Sequence, residues 1–203
     1  MYKKYIKRLF DIVCAVAALA VFSWLYIIIA ILVCIFNGSP VIFKQKRTGL
    51  KGKTFTLYKF RTMTDKKDES GRLLPDSKRL TGLGGFLRKT SLDELPQVFN
   101  ILKGDMSVVG PRPFIAELAP YYTEKEMRRY DVRPGLSGLA QISGRNDISW
   151  DEKFKWDLKY VDNITFCGDL KIILKTVIEI FKINDNEPGE ESVLESFLNS
   201  RKA

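Results

Sequence analysis

Two adjacent carboxylates lie in the SLDELPQ motif at residues 91–97, at the predicted start of a helix. One interpretation is a capping box, in which Ser91 and Glu94 bond the first helical turn and the acids favour the positive end of the helix dipole. Pro96 is best tolerated in that first turn, which moves the predicted helix start towards Asp93. A carboxylate there could attack an electrophilic phosphorus and form an acyl phosphate, or hold Mg²⁺, which prefers carboxylates together with substrate phosphates.

A single arginine is held between two prolines in the GPRP motif at residues 110–113. The prolines fix their own backbone angles, and Pro113 also restricts Arg112. A guanidinium placed in this way can grip a phosphate with two parallel hydrogen bonds. The alternative is a structural turn with an arginine on the surface.

A glycine-rich loop and two more cations are further candidates for phosphate binding. The loop is RPGLSG at residues 133–138, and it is followed by Gln141 and Arg145. Its glycines permit a close approach of the backbone to a ligand, and the two side chains supply donors. Lys59 and Arg88 could also contact phosphate, although a solvated cation is the alternative for each.

The composition excludes several kinds of active site. The 203 residues include no histidine, so a Ser-His-Asp triad and a His-ligated metal site are both ruled out. Three cysteines form no CxxC pair, which argues against a zinc site and a disulfide framework and fits a reducing compartment. Acid, base and nucleophile roles therefore fall mainly on carboxylates, Lys, Tyr or Ser.

Residues 12–36 form an apolar run long enough to enter or cross a bilayer. The net charge of +9 is concentrated around this run, because residues 1–60 contain ten Lys or Arg residues and the single acid Asp11. Such a pattern indicates anionic lipid head groups rather than nucleic acid as the partner. A spanning helix would place one basic cluster outside, whereas a re-entrant helix that bends near Ser23 keeps both clusters cytoplasmic.

The remaining chain predicts one mostly helical α/β domain with a short β-hairpin. Strands are predicted at 41–43 and 55–60, a loop at 64–80, a short flexible segment at 83–87, and helices at 91–102, 113–130 with a break near Pro120, 150–161 and 169–182. The last helix has one apolar stripe, typical either of a membrane-interface helix or of a core helix. The predicted organisation is a membrane segment at 1–38, a catalytic domain at 39–182 and a mobile polar tail at 183–203.

These motifs, in this order, resemble the monotopic bacterial sugar transferases, which are small polyprenyl-phosphate phosphoglycosyl transferases. The resemblance runs from KRLFD at residues 7–11 to about residue 182, and it includes YKFRTM at 58–63, SLDELPQ at 91–97 and KGDMSVVGPRP at 103–113. Members that act on UDP-N,N'-diacetylbacillosamine in protein glycosylation look most similar. One departure is Trp24, which stands where the family usually has a proline after the serine of the membrane bend.

The resemblance implies a reaction and a role for each matched residue. A sugar 1-phosphate would pass from a UDP-sugar to undecaprenyl phosphate, with release of UMP, at the cytoplasmic face of the bacterial inner membrane. Asp93 resembles the nucleophile of a ping-pong reaction, and Glu94 its partner, placed to help bind Mg²⁺ or to assist proton transfer from the acceptor. Arg112 resembles the phosphate-binding arginine. Arg88 and Arg145 resemble helpers for phosphate or nucleotide.

The sequence leaves the identity of the sugar open, with UDP-linked galactose, glucose or N-acetylgalactosamine as alternatives to diacetylbacillosamine. It also leaves open whether the chain forms a homo-oligomer. Two other functions compete with the enzyme: a membrane-anchored scaffold without activity, against which Asp93, Glu94 and Arg112 argue, and a basic nucleic-acid-binding module, for which no recognition motif is present.

Overall fold

The structure, a computed structural model, describes residues 2–144, 148–181 and 190–201. The α-helices are α1 (Lys7–Asn37), α2 (Asp76–Arg79), α3 (Gly82–Lys89), α4 (Gln97–Lys103), α5 (Glu124–Met127), α6 (Trp150–Asp162), α7 (Phe166–Phe181) and α8 (Glu190–Ser200). The strands are β1 (Ile42–Thr48), β2 (Thr54–Phe60), β3 (Ser107–Val109) and β4 (Gly135–Ser137). Short 3₁₀ turns are Leu50–Gly52, Leu92–Glu94, Ala116–Tyr121 and Arg128–Asp131, and a π-helical turn, Tyr2–Ile6, precedes α1. The predicted mostly helical fold with little sheet is confirmed.

The predicted hairpin is present as β1 and β2, which pair antiparallel from Ile42 opposite Phe60 to Thr48 opposite Thr54. Phe55, Leu57 and the core face of β2 alternate with more exposed residues, as a half-buried strand requires. The buried face packs on Ala15 of α1 and on Val98 of α4. The hairpin therefore lies between the apolar N-terminal helix and the helix that follows the two carboxylates.

A second sheet, formed by the parallel strands β3 and β4, was not predicted. Each strand has three residues, too few for a pattern of alternation to be visible in the sequence. The glycine-rich loop supplies β4, and a Cβ on Gly135 would lie 2.0 Å from the backbone nitrogen of Gly110. This glycine thus allows two segments of backbone to approach each other, rather than the approach of a ligand that the sequence suggested.

Helix α1 is the one described helix that is long and apolar enough to cross a membrane, judged by length and composition. Only 11% of its most apolar stretch is buried, which is unlike the core helix of a soluble protein. Its residues at 20–24 are exposed on every side, and the Ser23 hydroxyl donates to the Ala20 carbonyl. The apolar surface of α1 supports membrane association.

Both ends of α1 are attached to the catalytic part of the chain. Near the N-terminal end, Arg8 donates to the carbonyls of Ile101 and Leu102 at 2.6 and 3.0 Å, and so caps the last turn of α4. Past the middle of the helix, the Tyr26 hydroxyl donates to the Leu95 carbonyl at 2.6 Å. Asn37, at the last residue of α1, donates to the Arg61 carbonyl at 2.5 Å.

A buried polar network joins α1 to α6 and α7. The carboxylate of Asp169 is fully buried and accepts hydrogen bonds from Lys7 at 2.7 Å, from Tyr2 at 2.6 Å and from Tyr160 at 2.8 Å. Asp11, one turn beyond Lys7, accepts from the Ser107 hydroxyl and from the Val108 backbone at the start of β3. The charged residues that precede the apolar run therefore hold the N-terminal helix against the domain.

Two predicted segments differ from the structure for identifiable reasons. Residues 83–87 lie in helix α3 rather than in a flexible segment, because Gly84 packs so closely on Thr62 that a Cβ would lie 1.8 Å from its carbonyl oxygen. The single helix predicted over 113–130 is instead a 3₁₀ turn containing Pro120, a short α5 with a capping box, and a second 3₁₀ turn. Helices α6 and α7 lie where the sequence placed them.

The polar tail predicted over 183–203 contains helix α8. Phe197 of this helix is completely buried and packs on Trp150 and Phe154, with ring centroids 5.0 and 6.4 Å away. Arg201 pairs with Glu126. Val193, Leu194 and Leu198 also pack against this cluster, so four apolar side chains at helical spacing dock the short helix, in place of the polar tail that was expected. Residues 182–189 and 202–203 lie outside the described residues.

We predict that Asp169→Asn lowers the thermal unfolding temperature of the detergent-solubilised protein by roughly 6–20 °C. The variant leaves the buried Lys7 ammonium without its closest counter-charge, a change that typically costs about 3–5 kcal/mol. The matched control is Asp162→Asn, because Asp162 pairs with Arg128 on the surface, where each side chain is about half exposed. Equal, small shifts for both variants would show that the network does not hold α1 in place.

Candidate active site

The turn that carries the two carboxylates is not the capping box considered from the sequence. Ser91 has a left-handed backbone, with φ of 56°, and its side chain makes no capping hydrogen bond. The 3₁₀ turn Leu92–Glu94 follows, and the α-helix begins only at Gln97, after Pro96. Asp93 and Glu94 therefore lie on a tight turn between α3 and α4, and helix capping does not explain their presence.

Glu94 is bound by two cations from distant parts of the chain. Lys59 of β2 donates to Oε1 at 2.7 Å. Arg112 of the GPRP segment donates to the same oxygen at 2.7 Å through Nη2 and lies 3.5 Å from Oε2 through Nη1. Glu94 is 8% exposed, so these charge-assisted bonds are made largely away from water. The structure thus brings Lys59, Glu94 and Arg112 together as the sequence analysis anticipated.

The cations keep Glu94 ionised. Burial alone would raise the pKa of Glu94, but the charges of Arg112 and Lys59 and their hydrogen bonds outweigh burial and hold the pKa well below its usual range. Glu94 is accordingly a carboxylate, and a weak base, throughout the physiological pH range. It serves better as a fixed negative charge than as a proton acceptor.

Asp93 also lies beside Lys59, and it is more deeply buried than Glu94. Its residue is 4% exposed, and Oδ2 is 3.7 Å from the ammonium nitrogen of Lys59. A carboxylate at this position could act as a nucleophile towards phosphorus, because an acyl phosphate formed there would be shielded from water. Its burial also means that a substrate phosphate must reach it from the adjoining cleft.

A narrow cleft with a volume of about 10 Å³ adjoins the two carboxylates. Its wall is formed by Arg47, Leu57, Lys59, Glu94, Gln97, Arg112 and Pro113. Three of these side chains are cations and one is an acid, so the wall favours an anion. The sequence analysis did not select Arg47 or Gln97 as site residues.

The pairing of the hairpin explains why Arg47 belongs to the site. Arg47 lies opposite Phe55, and Lys59 lies opposite Phe43, so Arg47 and Lys59 are on the same face of the two strands. Arg47 also donates through its guanidinium to Oε1 of Gln45, at 2.8 Å from Nε. Had the strand register been predicted, the alternation of residues along β1 would have identified Arg47.

The remaining predicted site residues are placed differently. The Arg88 guanidinium donates to the Thr62 hydroxyl at 3.0 Å and is not part of the cleft wall. Gln141 donates to the Leu136 carbonyl at 3.2 Å, within its own loop, and is also absent from the wall. Arg145 lies outside the described residues. The structure therefore gathers four of the seven predicted residues, Lys59, Asp93, Glu94 and Arg112, into one place.

The two carboxylates fit Mg²⁺ only as part of a larger set of ligands. Among residues 2–144, 148–181 and 190–201, no group of three or more Cys, Asp or Glu side chains could hold a metal ion. Asp93 and Glu94 supply oxygen ligands of the kind that Mg²⁺ prefers, and the ion commonly completes its shell with phosphate oxygens and water. The residues present therefore suit a Mg²⁺ ion that arrives with a diphosphate substrate.

Comparison with known proteins connects this site to one family. Residues 2–183 match the family model described as bacterial sugar transferase. The chain is 50% identical over 195 residues to the uncharacterized sugar transferase EpsL of Bacillus subtilis, and the alignment covers 96% of each protein.

Two other relatives carry more specific names. The chain is 40% identical over 190 residues to the undecaprenyl-phosphate galactose phosphotransferase of Salmonella typhimurium, covering 85% of this chain and 40% of that protein. It is 42% identical over 185 residues to the UDP-glucose:undecaprenyl-phosphate glucose-1-phosphate transferase of Klebsiella pneumoniae, covering 86% of this chain and 40% of that protein. Both relatives are therefore much longer than the segment they share with this chain.

The low pKa of Glu94 predicts how its contribution to stability depends on pH. The ordinary pKa of this group is 4.5, and its pKa in the folded protein is lower, so the stabilisation is present above about pH 4.5 and is lost as the pH falls below it. We expect the difference in unfolding temperature between the wild type and Glu94→Gln to be constant from about pH 6 to 9 and to shrink below about pH 4.5. A difference in unfolding temperature that grows on acidification would contradict a lowered pKa for Glu94.

Proposed function

The chain belongs to the bacterial sugar transferase family, and from this premise we propose that it transfers a sugar 1-phosphate from a UDP-sugar to undecaprenyl phosphate and releases UMP. The observation that carries the proposal is the pair of buried carboxylates, Asp93 and Glu94, that faces Lys59 and Arg112 in an anion-favouring cleft. The exposed apolar surface of α1 supports an acceptor that is itself a lipid. A scaffold without activity would have no need to bury two adjacent carboxylates beside two cations.

We propose a two-step reaction through Asp93. An Asp93 oxygen attacks the β-phosphorus of the donor, a phosphorus–oxygen bond forms, and the bond from that phosphorus to the bridging oxygen breaks, so that UMP leaves with the electron pair. A phosphate oxygen of the polyprenyl phosphate then attacks the same phosphorus, and the bond to Asp93 breaks. The carboxylate is regenerated, and the product is a polyprenyl diphosphate sugar.

The neighbouring cations have a defined part in both steps. Arg112 and Lys59 are already oriented towards the site by Glu94, so their charge can stabilise the phosphate oxygens of the transition state without rearrangement. Mg²⁺, when bound between the substrate diphosphate and Asp93 and Glu94, would neutralise part of the charge on the leaving phosphate. Arg47 at the wall of the cleft is a further group that could contact the nucleotide diphosphate.

The donor sugar is the finer part of the proposal. The sequence motifs favour UDP-diacetylbacillosamine, whereas the named relatives are a galactose and a glucose phosphotransferase. A panel of UDP-galactose, UDP-glucose, UDP-N-acetylgalactosamine and UDP-diacetylbacillosamine, read out as UMP release, distinguishes these donors.

We further propose that α1 enters the membrane and returns to the same face, with the catalytic part in the cytoplasm at the inner membrane. Both ends of the helix bond the same domain, through Arg8 at one end and Asn37 at the other, so they cannot lie on opposite sides of a bilayer about 30 Å thick unless the domain spans it too. Residues 20–24, exposed on every side, would be the deepest part. Trp24 supplies no proline kink, so the bend would depend on Ser23 and on packing.

Asp93→Asn tests the covalent step. The amide cannot form an acyl phosphate, so we expect no UMP release and no labelled protein when the variant is mixed with a UDP-sugar that carries ³²P in the β-phosphate, while wild type gives both. Asp131→Asn is the control, because Asp131 is exposed and outside the cleft. Turnover by Asp93→Asn at the wild-type rate would rule out Asp93 as the nucleophile.

Cysteine labelling tests the membrane topology. Cys14, Cys34 and Cys167 are replaced by Ala, and single cysteines are placed at the exposed positions Lys4 and Lys44 on either side of α1. We expect a membrane-impermeant maleimide to label both positions in inside-out vesicles and neither in right-side-out vesicles. Asp68→Cys reports the side on which the catalytic part lies. Labelling of Lys4→Cys and Lys44→Cys from opposite sides would establish a single crossing.

A further inference from the structure

Arg129 is a completely buried arginine behind the candidate active site. It lies in the 3₁₀ turn Arg128–Asp131, and its guanidinium carbon is 4.0 Å from the centroid of the Phe114 ring. The rings of Tyr122, Tyr130 and Phe154 are also within 6.0 Å. A guanidinium enclosed by aromatic rings gains cation–π attraction but loses its hydration.

Among the described residues, the ionic partner of this cation is Asp157 of α6. Nε and Nη2 of Arg129 donate to the same oxygen of Asp157, at 3.1 and 2.7 Å, and Asp157 is 2% exposed. Nη1 of Arg129 is buried and has no hydrogen-bond partner among the described residues. Buried ion pairs of this kind are often no more stabilising than apolar residues of the same volume, so a contribution to stability is a poor explanation for the pair.

A third contact of Arg129 points to a different explanation. Nη2 also donates to the backbone carbonyl of Arg112 at 2.7 Å. Arg112 precedes Pro113, which confines it to extended backbone angles, and the direction of its carbonyl is set by ψ within that range. The hydrogen bond from Arg129 therefore fixes the backbone at Arg112, and with it the direction from which the Arg112 side chain reaches Glu94.

We propose that the Arg129–Asp157 pair is a positioning device for Arg112, which holds the phosphate-binding guanidinium in its productive direction. Asp157 fixes the plane of the Arg129 guanidinium, and Arg129 fixes the Arg112 carbonyl from the side opposite the cleft. The donors of Arg129 that have partners bond Asp157 and the Arg112 carbonyl, so we assign the pair no contact with the substrate. The inference rests on the proposed function, since Arg112 matters here as a ligand for substrate phosphate.

The first test replaces the pair with apolar residues, as Arg129→Met/Asp157→Leu. We expect the unfolding temperature to stay near that of wild type, and kcat/KM for the donor to fall by about 10- to 100-fold with a higher KM, as expected for a displaced phosphate ligand. A merely structural role would reduce the active fraction, which lowers kcat and leaves KM unchanged. The control is Arg128→Gln/Asp162→Asn, a surface pair between the same two elements.

The second test is a double-mutant cycle with Arg112→Ala. If Arg129 and Asp157 act through Arg112, their replacement has little further effect once the Arg112 side chain is gone. Equal losses in both backgrounds would overturn the proposal.

A fallback variant, Arg129→Lys, serves if the Met/Leu variant fails to fold. Lysine keeps the positive charge but has no guanidinium fork to bond Asp157 and the Arg112 carbonyl together, so the same rise in KM is expected.

The outcomes separate this inference from the proposed function. The kinetic tests use as donor whichever of the four UDP-sugars above the wild type turns over. The affinity of wild type and variants for UDP is measured in parallel by calorimetry. If wild type neither binds UDP nor releases UMP from any donor, the proposed function is wrong. If wild type is active and the Met/Leu and Lys variants match it in KM and in affinity for UDP, the proposed function stands and the positioning role is wrong.

Discussion

The carboxylate of Asp169 is the contact on which the arrangement of the chain depends. It accepts hydrogen bonds from Tyr2, Lys7 and Tyr160, and it thereby joins the N-terminal helix to α6 and α7. A fully buried carboxylate costs folding free energy unless its oxygens accept hydrogen bonds, so the partners of Asp169 tolerate little displacement. The Tyr160 hydroxyl lies 2.9 Å from the Val109 carbonyl, at the residue before the GPRP segment. The anchoring of α1 and the placement of Arg112 are thus linked through one tyrosine.

The apolar helix and the site are also joined directly. Tyr26 of α1 donates to the carbonyl of Leu95, the residue after the two carboxylates, and Arg8 caps the helix that follows them. Arg8 lies near the start of α1 and Tyr26 lies past its middle, so the turn that bears Asp93 and Glu94 is held along this helix. In the proposed reaction a lipid-borne acceptor and a water-soluble donor meet at one phosphorus atom, and this connection would fix the distance between the membrane segment and Asp93.

The sequence predicted most of what is local in this structure and little of what depends on distant contacts. Strand β2, α6 and α7 follow from alternation and helical periodicity over six or more residues, whereas the strand predicted at 41–43 covers only the start of β1. Asp93, Glu94, Lys59 and Arg112 were selected by their motifs. Strands β3 and β4 were missed because three residues show no period. Arg47 and the Arg129–Asp157 pair were missed because strand register and a buried pair 28 residues apart in sequence leave no local signal.

Glu94 is better understood as the organiser of the cations than as an acid or base. A group whose pKa lies well below its usual range is rarely protonated near neutral pH and has little affinity for a proton. The acceptor phosphate does not need to lose a proton either, since a phosphate monoester with a second pKa near 6 is already largely dianionic at pH 7. What the reaction does require is positive charge fixed in place before the phosphates arrive. Glu94 supplies that by holding Lys59 and Arg112 on one carboxylate.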